Sequence, residues 1–180
     1  MGALPFWHVR AALPVFQTWP GTSILVPVRV SKITLFGAAL AFVADSSRIM
    51  PDTTGGQAFI RSHAFQGKPS VQTDWNMVGD TVFVSLSSTE AVDLSEDVLV
   101  ELAFKVKPDT PADTVALAWL PFPATNLNEM EAATIDGQIT TIIYGDVSHD
   151  EAVTAQDASL ILQFTVHKLA AIDEKTADVT

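Results

Sequence analysis

Along most of the chain, apolar and polar residues alternate with a period of two. In "ILVPVRV" (24–30), Ile24, Val26, Val28 and Val30 share one face, and Leu25, Pro27 and Arg29 share the other. In "TVFVSL" (81–86), Val82, Val84 and Leu86 alternate with Thr81, Phe83 and Ser85. The longest case is "VLVELAFKVK" (98–107). There Val98, Val100, Leu102, Phe104 and Val106 oppose Leu99, Glu101, Ala103, Lys105 and Lys107. "TVALAWL" repeats the pattern with Val115, Leu117 and Trp119, and "QITTII" with Ile139, Thr141 and Ile143. Successive side chains of a strand point to opposite sides of the sheet, so each stretch predicts a half-buried strand. "SEDVLVELAFKV" also offers Ser95 as a helix cap, but its strict alternation favours a strand. "LFGAALAFVAD" (35–45) carries small residues on one face and larger ones on the other, as in a strand packed closely against its neighbours. Pro27, inside a strand pattern, predicts an edge or a bulge.

Turn signals separate these stretches: "WPGT" (19–22), "PDTTGG" (51–56), "QGKPS" (66–70), "VGD" (78–80), "KPDTPADT" (107–114), "PFP" (121–123) and "IDGQ" (135–138). The predicted fold class is mostly β, an antiparallel sandwich of about eight or nine strands. After Tyr144 the period changes. Leu160, Ile161, Phe164 and Leu169 recur at helical spacing, and "DASLILQFTVHKL" contains neither Gly nor Pro. The reading is therefore a sandwich over residues 11–144 followed directly by a loop and helix over 145–180.

Composition narrows the function classes. At 180 residues and 48% hydrophobic content, the chain can bury one core plus a small appendage. A formal charge of −11 makes nucleic acid and anionic membranes poor partners and suits cations. The absence of cysteine excludes disulfides, thiolate metal sites and cysteine nucleophiles. No run is long and apolar enough to insert in a membrane. The start, "MGALPFWHVRAALPVF", lacks the ordered regions of a signal peptide, and Phe6 breaks a myristoylation motif. The expectation is either another export route or a piece of a longer chain.

The chemistry concentrates in "GDVSHDEAVTAQDASLILQF" (145–164). A calcium loop of the EF-hand type takes oxygen ligands at positions 1, 3, 5, 7, 9 and 12, position 7 through its backbone carbonyl. With Asp146 at position 1, the others are Ser148, Asp150, Ala152, Thr154 (through water) and Asp157. Val153 falls at the apolar position 8. Two residues depart from the pattern. Glu151 stands at position 6, where glycine normally makes a turn with positive φ, and Ser148 replaces a stronger donor. Both predict weak calcium binding. The alternative is an acidic N-cap region ahead of a helix, and spacing alone leaves the two open.

The same stretch resembles the first half of a dockerin domain: a Gly-Asp-Val opening, a loop without a preceding helix, and "DASLILQF" (157–164) running into the helix. Dockerins consist of two such halves. Asp178, Val179 and Thr180 match the start of a second, so the chain is expected to stop within it. The resemblance implies a calcium cofactor and a partner-specificity pair at Ala155 and Gln156. The preceding segment resembles a cohesin-like domain in "PGTSILVPVRVSKITLFGAALAFVADSSRIM", in "VLVELAFKVKPDTPADTVALA" and in "NLNEMEAATIDGQIT". "FVADSSRIM" keeps the family's Asp but lacks the Tyr and Pro of its usual turn. The resemblance implies a nine-stranded jelly-roll sandwich close to carbohydrate-binding modules. It also implies a non-catalytic scaffolding role outside the cell or at its surface, in polysaccharide breakdown. The implied partners are dockerin- or cohesin-bearing proteins, with polysaccharide as a further one. Bound alone to its own half, the helix is expected either to pack on the sandwich or to fray.

Other chemistry is thin. His8, His63, His149 and His167 fit no metal spacing, and no nucleophile elbow or phosphate loop occurs. Glu90, Asp93, Glu96, Glu129 and Glu131 could supply a glycosidase pair but read as solvated faces. An enzyme is not expected. Trp119 shares the face of Val115 and Leu117 and reads as core; Trp19 and Trp75 are candidates to stack on sugar rings, Trp75 as an exposed residue. The alternative function is accordingly a carbohydrate-binding or adhesion sandwich with a loop that holds no calcium.

Overall fold

The computed structural model describes residues 9–54, 59–61, 65, 70–94 and 98–177. Trp7, His8, His63, Ser95, Glu96 and the second-loop residues Asp178, Val179 and Thr180 lie outside the described residues. Within them the chain forms fourteen strands and two helices. The strands are β1 (Arg10–Ala12), β2 (Val15–Thr18), β3 (Ser23–Val30), β4 (Ile33–Ala44), β5 (Ile49–Pro51), β6 (Phe59–Arg61) and β7 (Val71–Val78). They continue with β8 (Thr81–Leu94), β9 (Val98–Val106), β10 (Thr114–Trp119), β11 (Asn126–Leu127), β12 (Met130–Glu131), β13 (Ala133–Ile135) and β14 (Gly137–Thr141). Helices α1 (Ala155–Thr165) and α2 (Glu174–Ala177) follow.

The strands make two sheets. One is six-stranded, ordered β13-β1-β3-β9-β5, with β6 also on β9. The other is eight-stranded: β4 pairs β8 on one side and β10 and β11 on the other, β7 pairs β8, and β14 and β2 extend beyond β10. The alternating rows face each other across the core. Val26, Val28 and Val30 meet Leu99, Leu102 and Phe104 on one sheet, and Leu40, Phe42, Val82, Leu117 and Ile139 on the other, all buried. Burying each large side chain contributes about 1.5–3 kcal/mol, so these rows hold the two sheets together. β9 is a strand, as its alternation predicts.

The expected all-antiparallel sheet of eight or nine strands is corrected in one place. β1 runs parallel to β13, and β2 runs parallel to β14. One run near the start (β1 then β2) and one near the end of the sandwich (β13 then β14) each switch from the six-stranded to the eight-stranded sheet, side by side. The switches touch: the Leu13 amide donates to the Ile135 carbonyl at 3.0 Å, and the Gln138 amide to the Pro14 carbonyl at 2.9 Å. A side chain at Gly137 would put its Cβ 2.4 Å from that Pro14 carbonyl oxygen. Only glycine lets the two runs close the barrel-like side. The extra strand count comes from these broken runs and from the short β11–β12 hairpin.

Pro27 lies where β3 is an edge, and the bulge falls one residue beyond it. β1 reaches only Arg29 and Val30 of β3, and the β3–β9 register shifts between Val28 and Arg29. A second irregularity lies in β4, between Leu35 and Gly37. Asn128, at φ 51° in the hairpin turn, fills it. Its Oδ1 accepts from the Phe36 amide at 2.8 Å and the Gly37 amide at 3.2 Å, and its Nδ2 donates to the Thr34 carbonyl at 2.9 Å.

α1 forms, but it joins no part of the core. Leu160, Ile161 and Phe164 are half-buried, and Leu162 and Val166 are 63% and 52% exposed. The helix is half-buried along Leu160, Ile161 and Phe164 and outside the sandwich core.

Candidate functional site

Two features stand out from the core. The first is the acidic loop. Asp146 and Asp157 are each 1% exposed, among the few buried charges of the chain. Each is satisfied by local donors. The Asp146 carboxylate accepts from the Asp150 amide at 3.1 Å, the Glu151 amide at 2.8 Å and the Ser148 hydroxyl at 3.3 Å. Asp157 accepts from the Ser148 amide at 2.9 Å and the Thr154 amide at 2.7 Å. Asp150 accepts from the Ala152 amide at 3.1 Å. One carboxylate oxygen from each of Asp146, Asp150 and Asp157 lies within 4.8 Å of the other two.

Asp157 serves the helix as well. Thr154 is the N-cap of α1: its hydroxyl accepts from the Gln156 amide at 3.2 Å, while Asp157 reaches back to the Thr154 amide, a capping box. The Thr154 amide, and after it the Ser148 amide, hold the Asp157 carboxyl well below the usual carboxylate range, against the opposite pull of burial. The cap reading and the convergence of carboxylates therefore coexist on the same residue. Thr154 spends its hydroxyl on the cap. Ala155 and Gln156 stand exposed in the first turn.

The backbone takes the turns that the loop register asks for. Glu151 has φ 67°, His149 φ 60° and Gly145 φ 90°. Glu151 thus adopts the left-handed conformation of position 6 without being glycine. The Gly145 amide donates to the Thr176 carbonyl at 2.6 Å, so α2 returns to the loop's entrance. His149 Nε2 lies 3.6 Å from an Asp173 carboxylate oxygen.

The second feature is the outer face of β4, β8 and β7. Pairing aligns Gly37, Ser87 and Gln72 in one row, Ala39, Ser85 and Asp74 in the next, then Ala41, Phe83 and Asn76, and Val43, Thr81 and Val78. Gly37, Ala39 and Ala41 keep the β4 side low, and a shallow concavity lies between Ala39, Ser85, Phe83 and Ala124. Phe83 and Val78 are 45% and 61% exposed on it. β7 forms its margin, pairing among the described residues with β8.

The tryptophans sort differently from the expectation. Trp119 is core, edge-on to Phe42 at 5.6 Å, and its Nε1 donates to the Ile135 carbonyl at 2.9 Å. Trp75, expected at the surface, turns inward and meets Phe104 edge-on at 5.6 Å. The signal was present: Val71, Thr73, Trp75 and Met77 alternate with Gln72, Asp74, Asn76 and Val78. Trp19 is 49% exposed, 5.5 Å from the Tyr144 ring, and Tyr144 was not singled out from the sequence. Glu90 and Asp93 lie on β8 and Glu129 and Glu131 at the β11–β12 hairpin; among the described residues, three carboxylates meet only in the acidic loop.

Compared by sequence, the chain matches no protein-family model and no curated protein. Solved structures share its fold. The third cohesin of ScaC from Acetivibrio cellulolyticus, in complex with the ScaB dockerin, is similar at TM-score 0.61 and 12% identity, over 74% of this chain and 99% of that one. The seventh ScaB type I cohesin from Pseudobacteroides cellulosolvens gives 0.59 and 12%, over 74% and 92%. A non-cellulosomal cohesin from the archaeon Archaeoglobus fulgidus gives 0.57 and 14%, over 75% and 91%. The protein is mostly β, and its sandwich has a cohesin-like fold.

Proposed function

We propose that this protein is a non-catalytic docking module that receives a dockerin-bearing partner on the outer face of β4, β8 and β7. The observation that carries the reading is the make-up of that face: four aligned rows, mostly small along β4 and mostly polar along β8 and β7, with Phe83 exposed among them. A sheet face with an exposed aromatic suits a helical partner, with Phe83 as the buried anchor. The cohesin-like fold agrees, since one similar structure was solved with a dockerin in place. An extracellular or cell-surface setting within polysaccharide breakdown belongs to the same reading.

The C-terminal loop and helix form the second half of the proposal, an EF-hand-like dockerin half. Asp146, Asp150 and Asp157 would hold a calcium ion, with the Ser148 hydroxyl and the Ala152 carbonyl adding oxygens and Thr154 acting through water. Calcium would cancel the mutual repulsion of the carboxylates. Three converging oxygens and a left-handed Glu151 fit that ion. Ala155 and Gln156 would then face a cohesin. Polysaccharide binding is the weaker alternative, because the Trp75 ring is half-buried edge-on to Phe104.

Calorimetry tests both halves. Titrated with a panel of dockerins in calcium, the chain is expected to bind at least one, and Ser85→Arg to weaken that binding by about 30-fold or more. Binding unchanged by Ser85→Arg, or absent for every dockerin, would remove the docking face. Calcium alone is expected to give heat that Asp150→Asn diminishes; no heat in the parent chain would leave the loop a helix cap.

A further inference from the structure

A groove of about 450 Å³ runs between the sandwich and the acidic loop. Trp19, Tyr144, Pro108 and Pro111 give it an apolar wall, and Asp109 and Glu151 give it two carboxylates. It shares no residue with the outer sheet face, so it stands or falls apart from the docking reading. The two rings are 49% and 42% exposed although large and apolar, and each is fixed by the other at 5.5 Å.

The ring geometry restricts the ligand. The planes are inclined at 60°, so they form a corner instead of the coplanar strip that a chain of sugar rings would lie along. A corner of π faces, with negative charge beside it, suits a cation that both rings can contact. The polar lining agrees in sign. Among the lining residues the ionisable acids are Asp109 and Glu151, and no lysine, arginine or histidine is present to neutralise them. The Thr110 hydroxyl is already spent, donating to the Arg48 carbonyl at 3.1 Å. The nearby Arg48 guanidinium turns away to Asp45 at 3.3 Å and Asp113 at 2.8 Å.

Glu151 is the unusual member. It holds the left-handed backbone conformation without being glycine. Its amide is fixed by the Asp146 carboxylate at 2.8 Å, and its exposed side chain lines the groove. Its carboxylate and that of Asp109 give the groove two negative charges.

We propose that this groove binds an arginine side chain of a partner peptide. The guanidinium lies in the corner of Trp19 and Tyr144 and reaches the carboxylates of Asp109 and Glu151. Its planar, weakly hydrated group stacks on rings and pairs with carboxylates at once, which an ammonium does less well.

Two-dimensional ¹H–¹⁵N NMR on the full chain tests this. The Trp19 indole signal is identified by its loss in Trp19→Phe. The probes are N-acetyl-arginine amide, its uncharged analogue N-acetyl-citrulline amide, and cellohexaose. Arginine amide is expected to shift the Trp19 indole and the Tyr144 and Glu151 amides saturably, and citrulline amide to bind about 5-fold or more weakly. Glu151→Gln is expected to weaken the arginine probe about 3- to 5-fold, and Asp109→Asn, outside the loop, to do so even if the first variant disturbs the loop. Equal response to citrulline amide, or shifts spread over the surface without saturation, would overturn the proposal. So would saturable binding of cellohexaose in place of the arginine probe, which would make the groove a sugar site.

Discussion

The sandwich and the acidic loop are built on opposite rules. In the sandwich, Val26, Phe42, Leu102, Phe104 and Leu117 are wholly buried, and Asp52 is the buried carboxylate among its described residues. In the loop and α1, the buried side chains include Asp146 and Asp157, while Val153, Leu162 and Val166 are 61%, 63% and 52% exposed. Apolar burial joins residues far apart in sequence, as β3 to β9 or β4 to β8. The loop's carboxylates bond amides only a few residues away. One region is therefore stabilised globally and the other locally, and damage should follow the same division.

The largest effect should come from the sandwich. Phe104→Ala removes a fully buried ring that Trp75 meets edge-on, and is expected to cost about 3–5 kcal/mol in a urea titration. Leu162→Ala, equally apolar but exposed on α1, should change global stability by less than about 0.5 kcal/mol. A comparable loss from Leu162→Ala would break the comparison, by showing that α1 belongs to the sandwich's cooperative unit.

Next in size is the helix cap. Asp157→Ala leaves the Thr154 and Ser148 amides without the carboxylate that accepts from them and opens the capping box. Hydrogen exchange of the Leu160–Phe164 amides should accelerate while the sandwich melts as before. Acid should act alike. The folded Asp157 carboxyl titrates below its unfolded value of about 3.9, so its contribution is complete above that pH and fades as pH falls through the folded value. Asp52, at the end of β5, has the same sign: the Ser23 hydroxyl and then the Thr54 donors lower it to about 2, so its contribution is lost between about pH 4 and 2. Opening of the α1 amides, read as hydrogen exchange corrected for intrinsic rates, that is independent of pH from 5 to 2 would contradict the cap's role.

These differences also explain what the sequence discloses. Long strands with one buried face must alternate, so β3, β10 and the first half of β8 are legible residue by residue; in β9, Leu99, expected on the polar face, is fully buried at the register shift opposite Val28 and Arg29. β14 shows its strand in the alternation of Ile139 and Thr141 but not its parallel partner, and β1, β2 and β13 show neither. Those three are each too short to show a period, and the parallel pairing is decided by contacts between the two ends of the sandwich, with Gly137 the one local trace. Trp75 was legible from its alternation with Asp74 and Asn76, but the polar residues around it suggested a surface. The loop register located Asp146, Asp150 and Asp157, because local hydrogen bonding follows spacing. The groove at Trp19 and Tyr144 was not visible, since two turns distant in sequence meet only in the fold.

The smallest effect asks why Glu151 is there at all. Glycine would relieve its φ of 67°, a gain of about 1 kcal/mol, or about 5-fold slower exchange of the loop amides. Glycine also loosens the unfolded chain, which offsets part of that gain. Glu151→Ala separates the contributions, because it keeps the strain and removes the carboxylate. Glu151→Gly is expected to protect the loop amides more than Glu151→Ala does, with the sandwich unchanged in both. If Glu151→Ala alone already protects the loop, the carboxylate is what destabilises it, through repulsion from Asp146 and Asp150. That result would place the loop's weakness in charge and not in backbone shape. The local region would then be governed by electrostatics in both directions, with carboxylates holding it through amides and straining it through one another.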